Sequence, residues 1–363
     1  MIRIAVVTNI PAPYRSPIYE RIAQSADVSL QVIFCSKREP NRLWNLPSLN
    51  FSHTYLREQF KNYRGRYIHN NLDVIAKLRK FSPDVVVTTG FNPTHLYAFG
   101  YALFNRRSHV PMTDGTYESE RSLSALHRLV RRFVYKRSKA FVYASLGGRM
   151  LYKTYGIPAD ICFKSHLCVD NNTFSPNSKQ EEKVFDFIFC GRIEPVKNPL
   201  FALKLAKEVA LRLNRKIRIL FVGSGDQEAA VKDESALHPH LVESVFSGFV
   251  TQLDLPRLYR SSQIFLFPTL WDPWGVVTNE ACAAGLPVLV SPFAGVAGEL
   301  VLDGENGFVC ALDVGLWADR AILLLTKPSI YKIFSERSRN LVNDYTFDRA
   351  AAGLVAACHL SLN

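Results

Sequence analysis

At 363 residues, with 48% hydrophobic and 21% charged side chains, the chain is long enough for two domains and too apolar for wholesale disorder. Seven cysteines without a CxxC pair argue for a reducing compartment, and against a disulfide framework or a structural zinc site. The net charge of +12 is uneven: residues 1–170 hold 25 of the 44 Lys+Arg and 11 of the 32 Asp+Glu, a balance of +14, so the rest (19 and 21) stands at −2. Nucleic acid, an anionic membrane surface and an acidic substrate are the partners such a basic half suggests, with plain solubility as the bland alternative.

Met1–Ile10 alternates like a strand and lacks the apolar stretch and cleavage site of a signal peptide. No apolar run is long enough to span a bilayer, so the expectation is a cytoplasmic protein. Strand-like runs follow at 2–8, 28–34, 84–89 and 140–144, separated by helical patterns near 14–25, 68–81, 93–105 and 121–138. A second series has strands at 184–190, 217–223, 244–249, 263–268, 286–291 and 307–310. Its helices fall near 198–213, 226–236, 253–261, 276–284, 313–326 and 329–344, and a last helix near 346–361 follows. Short apolar strands spaced by helices predict parallel sheets covered on both faces. The polar stretch 169–183 divides the two series. Ligands bind at the carboxyl ends of strands in such sheets, so those ends are where chemistry is sought.

The strand at 184–190 runs into Gly191 and Arg192, with Lys197 just before a helix starting near Asn198. Two cations beside a helix N-terminus make an anion site suited to a diphosphate; an ordinary solvated turn is the other reading. Gly223-Ser224-Gly225 ends the next strand, and a lone GxG equally serves a simple turn. The segment from Trp271 to Glu280 is more specific. Asp272 sits in a loop with Trp274 and Gly275, and a helix from Val276 carries Glu280. Amides around Trp274, Gly275 and Val276 point beyond the helix start. A carboxylate such as Glu280 can accept from two vicinal hydroxyls, as on a ribose. The bland reading makes Asp272 a helix cap and Glu280 a solvated residue.

These residues resemble the retaining glycosyltransferases of the GT-B fold, specifically glycosyltransferase family 4 (glycosyl transferases group 1). The matching features are Gly191-Arg192-x4-Lys197-Asn198, Gly223-x-Gly225, Ser247-Gly248-Phe249-Val250, the Asp272–Glu280 segment, Ala284-Gly285-Leu286-Pro287-Val288, Gly295 with Glu299-Leu300-Val301, and Asp303-Gly304-Glu305-Asn306-Gly307-Phe308. Val169-Asp170-x3-Phe174 resembles the family's interdomain junction. The family usually has Glu where this chain has Asp272, one methylene shorter.

The resemblance implies an α/β protein of two facing Rossmann-like, doubly wound domains with an interdomain cleft. Residues 1–170 would form the acceptor-binding domain, 171–183 a linker, and 184–345 the nucleotide-sugar-binding domain. Residues 346–363 would return as a helix to the first domain. It also implies a metal-independent hexosyltransferase that retains anomeric configuration, using no cofactor beyond a UDP- or GDP-sugar donor. Its acceptor would be a hydroxyl of a glycan or lipid-linked molecule, in cell-surface polysaccharide or glycolipid synthesis. Arg192 and Lys197 would hold the donor diphosphate, Glu280 the ribose, Phe249 and Val250 the base through backbone, and the Asp272–Gly275 loop the sugar and its phosphate. On the acceptor side, Tyr14, Arg15, Asn92 and Asp114 close strands of the first half. Asp114 stands where many relatives place a functional His. His95 and His127 read as helix residues.

Residues 121–139 place Leu123, Leu126, Leu129, Val130, Phe133 and Val134 at helical spacing among cations, and 57–66 is a second basic run with aromatics. Such a helix suits attachment to the inner face of an anionic membrane, although its apolar stripe is expected to pack on the first sheet. The competing functions are a nucleotide-sugar epimerase on the same fold, a non-catalytic binder of nucleic acid or anionic glycan, and a dinucleotide oxidoreductase. No aromatic RNA-binding motif and no full G-x-G-x-x-G supports the last two, and no nucleic-acid partner is expected.

Overall fold

The structure, a computed structural model, describes residues 1–40, 48–63, 66–121, 123–176 and 182–363. Parts of the 57–66 run, of the 121–139 stretch and of the 171–183 linker therefore lie outside the described residues. The chain divides into two compact units, Met1–Cys168 with Phe347–Asn363, and Val169–Thr346.

In the first unit the strands are β1 Ile2–Thr8, β2 Val28–Phe34, β3 His53–Tyr55, β4 Phe60–Tyr63, β5 Arg66–His69, β6 Val85–Thr88, β7 Ser108–Thr113, β8 Phe141–Tyr143 and β9 Cys162–Lys164. Seven of them form a sheet of order β3-β2-β1-β6-β7-β8-β9, every pair parallel. The buried runs of β1, β2 and β6 explain this, because a strand apolar on both faces needs helices on both. One layer packs Ala5, Val7, Ile33 and Val86 against Val74, Leu78, Ala98 and Tyr101. A second cluster gathers Phe99, Val134, Tyr135, Phe141 and Tyr152. The Tyr152 hydroxyl donates to the carbonyls of Pro111 and Val142 at 3.1 and 3.0 Å, which ties helix Leu146–Thr154 to β7 and β8. The last helix, Phe347–Leu360, packs in this unit against helix Ser16–Ala23 and β9.

Two expectations are corrected here. The helix read over 68–81 occupies only Val74–Phe81, because β5 pairs antiparallel with β4 as a hairpin. The helix read near 121–138 occupies only Ala125–Tyr135, capped by Ser124, and a separate short helix, Tyr117–Glu120, precedes the basic stretch. The stripe of helix Ala125–Tyr135 does not pack as a whole on the sheet. Val134 and Tyr135 are buried, whereas Leu126, Leu129 and Phe133 are 68%, 63% and 46% exposed. The helix is instead anchored by Arg131, whose Nε donates to Glu120 Oε1 at 2.7 Å and whose guanidinium lies 4.2 Å from the Phe91 ring centre.

In the second unit the strands are β10 Phe185–Cys190, β11 Ile217–Val222, β12 Val242–Gly248, β13 Ser262–Phe267, β14 Val288–Val290 and β15 Gly307–Val309. Their order is β12-β11-β10-β13-β14-β15, again all parallel. The core joins Phe187, Phe189, Phe221, Ile264 and Leu266 of the strands to Leu205, Val209 and Trp317 of the helices. Residues 171–174, at the start of the expected linker, form a helix within this unit. Asn171 Nδ2 donates to Val342 O at 2.9 Å, and buried Phe174 meets the Tyr259 ring edge-on at 5.9 Å.

In both sheets the chain winds outward one way from the first strand and then returns to wind the other way. The reversal lies between β1 and β6 in the first sheet and between β10 and β13 in the second. The carboxyl edges of those pairs are the ligand positions of doubly wound sheets. Among the described residues, no helix is long and apolar enough to cross a membrane.

Candidate active site

The second reversal point is built from loops far apart in sequence. After β10 the chain turns through Gly191, makes a short 3-10 turn at Pro195–Lys197 and enters helix Pro199–Leu213. After β13 it passes Thr269 and Asp272 into helix Val276–Ala283. The loops are stitched together, since the Leu270 amide and the Thr269 hydroxyl both donate to Val196 O, at 2.8 and 2.9 Å. That stitch brings Lys197 onto Asp272 as an ion pair, each side chain 15% exposed. Asp272 Oδ1 accepts from the Trp274 amide at 2.9 Å. Asp272 thus shapes the turn before the helix, while Gly275 holds the N-cap position itself. The Gly275 φ is +102°, and an added Cβ would lie 2.3 Å from the Phe267 ring, so this turn needs glycine. Trp274 is an interior anchor: it is buried, and its indole N–H donates to Asn279 Oδ1 at 2.8 Å.

Glu280 lies in the middle of that helix and is 6% exposed, not a solvated helix residue. Burial raises its pKa to about 7, and a hydrogen bond from the Tyr259 hydroxyl, 2.8 Å from Oε2, works in the opposite direction. Tyr259 is completely buried on helix Leu255–Arg260. Its role was not visible in the sequence, because it lies 21 residues before Glu280 in a helix with no local signal. Arg192 is half exposed and pairs with Glu194 at 2.6 Å. Phe249 is exposed just after β12, with Val250 partly buried beside it.

Gly223 and Gly225 serve packing. A Cβ on Gly223 would stand 2.0 Å from Gly191 O, and one on Gly225 2.3 Å from Ile193 O. The missing side chains let the loops after β10 and β11 lie flat on each other, with the Gly191 amide donating to Val222 O and the Ile193 amide to Ser224 O. The GxG is therefore the means by which the Gly191–Lys197 loop is held in place.

The first unit has its own site at the β1/β6 edge. Thr89 donates to the Thr8 hydroxyl at 3.0 Å, and Asn92 Nδ2 to Asn9 Oδ1 at 3.3 Å. Arg15 is buried and bridges to Asp114, and its NH1 donates to Ser165 O at 3.0 Å. Burial works against the Arg15 charge, and Asp114 together with Tyr19 and Cys168 outweighs it, so the pKa ends above the ordinary value. Thr8, Asn9, Arg15, Thr89 and Asp114, with Tyr14, Tyr19 and Glu39, line one cavity, and Asn92 is not part of its lining. Glu39 is held from behind by buried His69, whose Nε2 lies 3.0 Å from Oε1, a contact 30 residues apart that no motif announced. His95 is buried and its pKa falls to about 3, mainly through burial and then through His69, so it stays neutral. Asp114, Arg15 and Tyr14 are thus brought together, and Asn92 reaches Asn9 on the same edge. Among the described residues, no group of three His, Cys, Asp or Glu could hold a metal ion.

Comparison with known proteins bears on both units. HepE of Anabaena, solved with UDP and glucose, superposes with a TM-score of 0.72 at 14% identity, over 98% of this chain and 100% of its own. A glycosyltransferase of Rickettsia africae gives 0.76 at 16% identity, over 100% and 99%. The chain has the GT-B fold. Residues 170–341 match the family described as Glycosyl transferases group 1. An uncharacterized glycosyltransferase of Methanocaldococcus jannaschii is 32% identical over 129 residues, which is 36% of this chain and 32% of the relative. The chain spans about a third of the length of the first curated relatives it matches, 32% and 34%. The group 1 match covers Gly191, Arg192, Lys197, Asp272 and Glu280 and leaves the β1/β6 site outside it.

Proposed function

We propose that the protein is a glycosyltransferase that moves a hexose from a UDP- or GDP-sugar to a hydroxyl of a glycan or lipid-linked acceptor. It works with retention and without a metal, in cell-surface polysaccharide or glycolipid synthesis. The observation that carries this is the Lys197–Asp272 pair at the second reversal point, with buried Glu280 on the helix that follows Asp272. Family resemblance and the UDP bound to HepE support the donor class.

In this reading Arg192 and Lys197 neutralise the donor diphosphate. The Arg192–Glu194 pair is exposed, so trading Glu194 for a phosphate costs at most about 1 kcal/mol. Glu280, as a carboxylate, accepts from the two ribose hydroxyls. The Asp272–Gly275 turn and the first helix amides face the sugar-bearing phosphate. The bond from the anomeric carbon to the diphosphate breaks, the acceptor oxygen bonds on the same face, and the acceptor proton leaves with the diphosphate. The protein contributes orientation and charge stabilisation. Tyr14, Arg15, Asn92 and Asp114 belong to the acceptor side.

The exposed face of Leu126, Leu129 and Phe133, flanked by exposed Arg128, Arg132 and Lys136, supports attachment to an anionic bilayer. Each cation near such a surface adds roughly 1 kcal/mol.

The deciding experiment is a thermal-shift panel of UDP-, GDP- and ADP-sugars, with Glu280→Ala alongside. A true donor raises the melting temperature by linkage, and the rise disappears in the variant. No response to any nucleotide sugar sinks the proposal. Product NMR reads retention directly, and unchanged turnover in a chelator reads metal independence.

A further inference from the structure

Helices Tyr117–Glu120, Ala125–Tyr135 and Leu146–Thr154 of the first unit border a groove of ≈ 360 Å³ whose lining includes no residue of the two sites described above. Arg121, Arg128 and Arg132 line it with the Tyr117 hydroxyl, and Glu120 is the one carboxylate of the described lining. Glu120 is already satisfied. Its Oε1 accepts from Arg131 Nε at 2.7 Å and its Oε2 from the Tyr155 hydroxyl at 3.3 Å. Arg131 stands outside the lining and neutralises that charge, so the three lining arginines are left in excess. Arg121 holds only an exposed pair with Glu118, at 3.1 Å, which water screens. The Arg128 and Arg132 guanidiniums make no ion pair or hydrogen bond among the described residues, so both forks are open. They stand one turn apart on one helix, where like charges repel unless an anion lies between them.

Open guanidinium forks suit a phosphate, which takes bidentate bonds through several oxygens. The groove has room for about twelve waters' share of liquid volume, more than a bare phosphate ion displaces. Its helices also carry exposed apolar side chains, Leu126, Leu129 and Phe133 on one and Leu146 and Met150 on the other. Leu129 lies three residues before Arg132, so apolar and cationic side chains are neighbours on one surface. A free phosphate leaves those apolar side chains in water, whereas a lipid phosphate brings acyl chains to them. We infer that this groove binds the phosphate of an anionic lipid headgroup. That the lipid lies in a bilayer rests on the membrane attachment proposed above; the phosphate site does not.

The test uses the full chain in two arms. Calorimetric titration takes dihexanoyl phosphatidate below its micelle concentration, beside inorganic phosphate. Flotation takes phosphatidylcholine vesicles carrying phosphatidate or, at matched surface potential, oleate. Dihexanoyl phosphatidate should bind about tenfold or more tighter than inorganic phosphate, the gain from its acyl chains. Arg128→Gln with Arg132→Gln should weaken it about tenfold or more, while Lys136→Gln with Lys139→Gln, the same loss of charge outside the lining, should change it less than about twofold. Melting temperatures show that the variants fold, and Arg132→Gln alone replaces a double variant that does not. Phosphatidate vesicles should float more wild-type protein than oleate vesicles, and the arginine variant should lose that preference. The inference is overturned by no binding of dihexanoyl phosphatidate, by inorganic phosphate that binds as tightly, or by equal effects of the two charge-matched variants. Equal flotation on both vesicles overturns it too and leaves the membrane attachment standing. Binding of the short-chain lipid with no flotation on either vesicle removes the attachment and leaves the phosphate site.

Discussion

Removal of one oxygen atom at Tyr259 tests how Glu280 works. The Tyr259 hydroxyl is 2.8 Å from Glu280 Oε2 and 3.3 Å from Val277 O, inside a completely buried ring. Phe at 259 keeps the ring contacts with Phe174 and Phe265 and deletes only the donor. A hydrogen bond to a charged group is worth about 1.5–3 kcal/mol. Losing it leaves the neutral acid far less affected than the carboxylate, so proton affinity at Glu280 rises by about tenfold to a hundredfold. In the wild type, burial already holds the pKa at about 7. Ribose hydroxyls need the carboxylate as acceptor, so donor affinity should rise with pH through about 7 in the wild type. Tyr259→Phe should move that rise to higher pH. Near neutrality, where half of the wild-type Glu280 is ionised, the variant binds donor about fivefold to fiftyfold weaker, and the deficit closes as pH increases. Isothermal titration with UDP and the sugar nucleotide found in the panel, from about pH 6 to about pH 9, reads this directly. An affinity loss of the same factor at every pH would refute the reasoning, since a merely loosened pocket behaves that way. So would a wild-type affinity that falls as pH rises.

The same carboxyl sets a stability prediction. With its pKa raised from 4.5 to about 7, folded Glu280 keeps a proton the unfolded chain has lost. Stability present below about pH 4.5 is lost as pH rises through 7, by roughly 3 kcal/mol. Glu280→Gln should flatten denaturant-derived stability over that range, and parallel curves would contradict the assignment. Gly225→Ala should cost about 1–3 kcal/mol, because its Cβ meets Ile193 O at 2.3 Å, and a thermal melt unchanged from wild type would show that the loops can part without cost. Leu126→Glu with Leu129→Glu touches exposed positions, so stability should stay within about 0.5 kcal/mol. Flotation on anionic vesicles should fall sharply, and retained flotation would place the membrane contact elsewhere.

What the sequence disclosed depended on whether a signal was local. Both sheets announced themselves, because β1, β2, β10, β11 and β13 are apolar runs bounded by helices. β3 and β9 are three residues each, too short to show a period, and β5 was absorbed into a helical pattern that starts later. Lys197 and Asp272 were found although 75 residues separate them, since each lies in the loop that follows a strand end and topology brings such loops together. Tyr259 and Glu39 were missed for the converse reason. Each matters through a buried partner on another element, and neither falls within a recognisable motif, although Glu39 does lie in the loop after β2.

The two sheets share one winding order, yet their reversal points carry opposite chemistry. The second places cations and helix amides there, with Arg192 at the surface and Lys197 in an ion pair, and so favours an anionic group. The first places Glu39 and Asp114 there, around an arginine already bound to Asp114. Charge summed over sequence points the other way, since the first 170 residues are the basic ones. The contradiction dissolves once position is considered. Arg128, Arg132 and Lys136 lie on the exposed face of a surface helix, while the arginine that reaches the cavity is compensated within it. Net charge therefore describes what the protein is drawn to at long range, and the cavity wall describes what it can hold. Salt should accordingly weaken vesicle binding, because a Debye length of about 8 Å at physiological ionic strength screens the exposed charges of the surface helix, and vesicle binding unchanged by salt would refute this reading.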